Sequence, residues 1–137
     1  MTVIADTGPL YALIDKNDTW HARVVAWWTE RGRNVVIPIS VLPEVSYLLQ
    51  TRIGPAAEQA FIRAVADGEF VTESLEPEDI TRAVILMQEH ADLPLGFVDA
   101  TVVATAERLG VREILTTDRR HFGVVRTQHT SSLVLVP

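Results

Sequence analysis

Short aliphatic runs alternate with longer stretches of helical periodicity along the whole chain, and that alternation leaves few folds open. The runs TVIA (2–5), NVVIP (34–38), EFVT (69–72) and REILTT (112–117) are too short for helices and carry the β-branched residues that suit strands. Between them lie helical patterns over 18–32, 40–54, 55 to about 67, 76–91 and 96–110. Asp18 and Ser40 stand where N-caps belong, and Gly32, Gly54 and Gly110 stand where helices close. Strands separated by helices of this length cannot pair as hairpins. They form βαβ units, and the sheet is mainly parallel with helices on both faces. The sequence therefore predicts one domain over 1–137, a three-layer α/β/α sandwich, with SLVLVP (132–137) as a further edge strand.

Composition narrows the function. The chain has no cysteine, which removes disulfides, thiolate metal sites and a cysteine nucleophile. No apolar run approaches the ~18 residues of a spanning helix, and the first residues lack a signal-peptide pattern, so the expected location is the cytoplasm. The net charge is −6, with 12 basic residues of which only Lys16 is a lysine. A broadly basic nucleic-acid binder has the opposite balance, so any contact with nucleic acid must be local. Neither G-x-S-x-G nor G-x-x-x-x-G-K occurs, which disfavours a serine hydrolase or a P-loop enzyme.

Four carboxylates stand out by position. Asp6 and Asp118 directly follow strands, and open α/β sheets bind ligands beyond the carboxyl ends of their strands. Glu44 and Asp99 sit near the starts of helices on otherwise apolar stripes. Singly, each has an ordinary explanation as a turn residue, a first-turn acid or a salt-bridge partner. Glu58 and Glu89 also have apolar neighbours at helical spacing and read as helix-surface acids. Jointly, four acids on one rim would repel strongly unless a cation joined them. Oxygen ligands without cysteine or clustered histidine suit a hard ion, Mg²⁺ or Mn²⁺. Such an ion implies phosphodiester hydrolysis.

The segments DTGPLYALID, SVLPEVSYLL, DLPLGFVDATVVATAERLG and ILTTDRRHFGVVR, in this order and spacing, resemble the PIN-domain ribonucleases, and among them the VapC-type toxins of bacterial toxin–antitoxin pairs. The resemblance runs over essentially the whole chain. It implies a PIN-like fold, with the family's acidic cluster at Asp6, Glu44, Asp99 and Asp118. It also implies Mg²⁺- or Mn²⁺-dependent cleavage of RNA, a cognate antitoxin protein and a homodimer. Thr116 matches a supporting hydroxyl before the last Asp, and Thr7 is a second candidate for bonding the site. Arg119, Arg120 and His121 follow Asp118 and are candidates to meet RNA phosphates, with Arg52 and Arg82 as unplaced alternatives. Asp92 reads as a helix-ending or loop-capping residue, and His21, His90 and His129 as packing or surface residues. The Trp20, Trp27, Trp28 stripe reads mostly as core, although adjacent Trp27 and Trp28 cannot both point inward.

Two other classes bear on the same residues. A phospho-acceptor receiver domain shares the size, the architecture and an acidic Mg²⁺ site. It would need paired acids after the first strand and a late lysine, whereas Asp6 stands alone and Lys16 is early. A catalytically silent α/β binding module would use its acids structurally and gain no stability from metal.

Overall fold

The computed structural model describes residues 1–137. Its five strands are β1 (Val3–Ala5), β2 (Val35–Pro38), β3 (Val71–Glu73), β4 (Glu113–Leu115) and β5 (Val134–Val136). They form one sheet in the order β3-β2-β1-β4-β5, and every neighbouring pair is parallel. The expected edge strand is therefore present, beside β4. Seven helices connect the strands: α1 (Thr7–Ile14), α2 (His21–Arg31), α3 (Leu42–Arg52), α4 (Pro55–Ala66), α5 (Pro77–Glu89), α6 (Phe97–Leu109) and α7 (Arg119–Phe122).

The topology places the layers. From β1 the chain steps outward to β2 and β3, then crosses back over the sheet to β4 and β5. Right-handed crossovers put α1 to α4 on one face and α5 to α7 on the other. The direction of travel reverses between β1 and β4, which is where such sheets open a crevice. β1 is wholly buried, as a central parallel strand must be. Residues Ala100–Ala106 of α6 are buried too, and this helix lies against both α5 and the sheet. Its small and β-branched side chains allow that close approach, and Gly110 ends it at φ 67°. No helix is long and apolar enough to cross a membrane.

Local differences from the sequence reading have physical causes. The helix Thr7–Ile14 is not among the expected helical patterns. Pro9 falls in the first turn, where its missing N–H is no loss. Asp18 is not the cap of α2: its Oδ1 accepts the Trp20 N–H at 2.8 Å in the preceding turn, and the helix starts at His21. Ser40 is not a cap either. It lies in a 3₁₀ turn over Ile39–Val41, bonded through its hydroxyl to Thr101 on α6 at 2.7 Å. Trp27 and Trp28 share the interior, each half-buried against the core, and Trp28 meets Phe70 edge-on with ring centroids 5.7 Å apart. The three histidines bond main-chain oxygens: His21 to Ala12, His90 to Leu86 and His129 to Val111.

Candidate metal centre

β1 and β4 lie side by side and parallel, so their carboxyl ends open together at the reversal of the sheet order. Asp6 is the first residue beyond β1. Its N–H donates to the Leu115 carbonyl at 2.9 Å, continuing the ladder, and only 6% of the residue is exposed. Thr116, wholly buried, is its counterpart beyond β4. The Thr116 hydroxyl donates to Asp6 Oδ2 at 3.1 Å and accepts the Asp118 N–H at 2.9 Å. One hydroxyl thus clips the two strand-end acids together.

Asp118 caps the short helix α7. Its Oδ1 accepts the N–H groups of Arg120 and His121, both at 3.1 Å, and its Oδ2 lies 2.5 Å from His121 Nδ1. Gly8 lets this loop approach α1, since a Cβ there would come within 2.2 Å of Thr117 Oγ1. Asp99, half-buried in the first turn of α6, places Oδ2 3.9 Å from the same His121 nitrogen. Glu44, in the first turn of α3, accepts the Thr7 hydroxyl on Oε1 at 2.7 Å.

Asp99, Asp118 and His121 each offer a donor atom, and these atoms lie within 4.8 Å of one another. Asp6 and Glu44 join them through their charges. Burial, then Asp99 and Glu44, push the Asp6 carboxyl up to about 7, against hydrogen bonds from Thr7 and Thr116 that lower it. Burial, then Asp118 and Glu44, push Asp99 up to about 6, and His121 opposes the rise. Two carboxyls that resist ionising beside two more acids form a set that a divalent cation would relieve. Oxygen donors dominate, so the set fits a hard ion.

The remaining candidates divide. Arg120 is exposed on α7. Arg119 turns to the main-chain oxygen of Pro137 and stacks over Trp20, 5.9 Å from the ring centroid. Arg52 stacks on Tyr11, and Arg82 grips Glu107 with two bonds of 2.8 and 3.1 Å. Asp92 is exposed in the turn after α5 and accepts no hydrogen bond, so it caps nothing. Glu58 is more than a surface acid, because it accepts the Ser46 hydroxyl and ties α4 to α3. Glu89 is a surface acid, 4.0 Å from Arg82. The sequence reading missed His121 as a member of the acid cluster. The signal was its position three residues after Asp118, which faces Asp118 only once α7 forms.

A family model described as the PIN domain matches residues 3–126. The chain belongs to the PIN-domain family. This PIN domain is 32% identical over 135 residues to "Ribonuclease VapC26" of Mycobacterium tuberculosis, covering 98% of this chain and 100% of that protein. Its fold is similar to the crystal structure of Mycobacterium tuberculosis VapC20, described as a toxin that cleaves the sarcin–ricin loop. The TM-score is 0.84 at 21% identity, over 94% of this chain and 98% of that one. It is also similar to VapBC2 of Rickettsia felis bound to a promoter DNA fragment, with a TM-score of 0.74 at 15% identity over 98% and 97% of the two chains. The family match ends at 126, so β5 lies beyond the matched stretch.

Proposed function

We propose that this PIN domain is a divalent-metal-dependent endoribonuclease and the toxin of a toxin–antitoxin pair. The observation that carries the reading is the meeting of Asp6, Glu44, Asp99 and Asp118, from four separate elements, at the reversal point of the sheet. The ribonuclease name of its relative, and the toxin–antitoxin complexes among proteins of similar fold, support it.

In this reading the four acids hold Mg²⁺ or Mn²⁺. When bound, the ion supplies a Lewis acid for the phosphoryl oxygen and acidifies an attacking water. The other residues keep the acids in place. Thr116 fixes Asp6 against the Asp118 main chain, Thr7 orients Glu44, and His121 steadies Asp118. Arg120, exposed beside the rim, meets the RNA phosphates. The partners are RNA, a cognate antitoxin and a second copy of the chain, in the cytoplasm.

The test is cleavage of RNA in Mn²⁺ by wild type and Asp99→Asn purified side by side, beginning with a sarcin–ricin loop fragment and total RNA. Wild type alone should cut. Equal cutting by both would trace to a contaminating nuclease and remove Asp99 from the site. The receiver-domain reading has no support, since Asp6 has no acid next to it in sequence after β1 and the one lysine, Lys16, lies early in the chain.

A further inference from the structure

Arg119 and Arg120 are adjacent arginines, yet the structure treats them differently. Arg120 is exposed and forms no ion pair or ring stack. Arg119 turns away to two partners. Its guanidinium donates through Nη2 to the main-chain oxygen of Pro137, just past β5, and lies over the Trp20 ring in the turn before α2. β5 is itself joined to the site: the Thr116 N–H donates to the Val136 carbonyl at 2.9 Å, and Leu115 pairs with Val136. The backbone of residues 115–119 is therefore held twice by the last strand, once through the sheet ladder and once through Arg119. Between those two ties stands Asp118.

We infer that Arg119 is a positioning residue, a latch between α7 and the end of β5 that fixes Asp118 and His121 for metal, while contact with RNA falls to Arg120. The physical reason is leverage. α7 is four residues long, too short to be stable by itself, and it departs from an edge of the site with no other arginine tie. Guanidinium suits this task because it can bond a carbonyl in its plane and stack on an aromatic face at once. The latch joins α7 to β5, which lies beyond the stretch matched by the family model.

The inference rests on the nuclease reading for its meaning, but its test does not. Amide hydrogen exchange on the metal-free full chain would compare wild type, Arg119→Gln, Arg119→Lys and Arg120→Gln. In Arg119→Gln, residues 116–123 should exchange at least tenfold faster, while α5 and α6 keep wild-type rates. Arg119→Lys should recover part of the protection, because an ammonium can still reach the carbonyl. Arg120→Gln should leave exchange unchanged. The second readout is kinetic. Arg119→Gln should lower kcat about tenfold and raise the Mn²⁺ concentration needed for half-maximal thermal stabilisation, with KM for RNA within twofold. Arg120→Gln should raise KM and flatten the salt dependence. Wild-type exchange in Arg119→Gln would overturn the latch whether or not the protein cuts RNA. So would a raised KM and a flattened salt dependence at unchanged Mn²⁺ demand. If wild type failed to cut RNA, the nuclease reading would fall and the exchange comparison would still decide the latch.

Discussion

Replacing Asp6 by Asn should make the metal-free protein more stable and the metal-loaded protein less so. The Asp6 carboxyl is pushed from its ordinary 3.8 up to about 7, first by burial and then by Asp99. A carboxyl whose folded pKa lies above its unfolded value favours the native state most when protonated. Stability is therefore fully present below about pH 4 and is lost progressively as pH rises through about 7. At ~1.4 kcal/mol per unit, the gap corresponds to at most about 4 kcal/mol at pH 8, and relaxation around the ionised group reduces this to about 2 kcal/mol. Asn has the same shape and no charge, and its oxygen can still accept the Thr116 hydroxyl.

In EDTA at pH 8 the variant should therefore melt about 6 °C above wild type. Near pH 4 the two curves should coincide. Mn²⁺ should reverse the order, because only the native wild type gains RT ln(1 + [Mn²⁺]/Kd). Differential scanning calorimetry across pH, with and without Mn²⁺, reads all three outcomes. A variant less stable than wild type at pH 8 in EDTA, or an unchanged pH slope, would refute the electrostatic reasoning.

Thr116→Val keeps the shape but leaves the part-buried Asp118 N–H without its acceptor, and should cost about 1 kcal/mol in urea unfolding while weakening Mn²⁺ binding. Gly8→Ala sets a methyl within 2.2 Å of Thr117 Oγ1, so the Thr117 side chain must turn away beside Thr116 and Asp118; RNA cleavage should fall severalfold with only a small change in urea midpoint. Arg108→Met strands the buried Asp79 that it holds with two bonds of 3.0 Å, and should cost about 3–5 kcal/mol in the same assay. The double variant Arg108→Met/Asp79→Leu should recover most of that loss, since it removes the uncompensated charge.

The sheet was legible because Val3–Ala5, Val35–Pro38 and Glu113–Leu115 sit in apolar runs that a buried parallel strand requires. The four acids were legible as candidates because each follows a strand or stands near the start of a helix, at the end of the sheet where ligands bind. Contacts between distant segments were not. Ser40 abandons the cap for Thr101, 61 residues away, and Thr116 bridges Asp6 and Asp118 across two strands. Local propensity ranks Ser40 as a cap because nothing nearby in sequence competes for its hydroxyl. Arg119 and Arg120 are indistinguishable in sequence, and only the position of β5 and Trp20 separates them.

The way the rim acids are held argues against a purely structural role for them. Three carboxylates that join this chain's own elements are met by a guanidinium: Arg31 meets Glu113 at 2.8 Å, Arg82 meets Glu107 at 2.8 Å, and Arg108 meets Asp79 at 3.0 Å, while Glu58 takes the Ser46 hydroxyl. Asp6, Glu44, Asp99 and Asp118 take no part in any arginine or lysine pair. Their partners are two threonine hydroxyls, the main-chain N–H groups at α7 and one imidazole. Such donors fix the direction of a carboxylate without cancelling much of its charge. A binding module with structural acids has no reason to leave that repulsion standing in a chain that carries twelve basic residues. The arrangement makes sense if the missing positive charge is to come from outside the chain. It also predicts that metal, more than any internal pair, decides the stability of this end of the sheet.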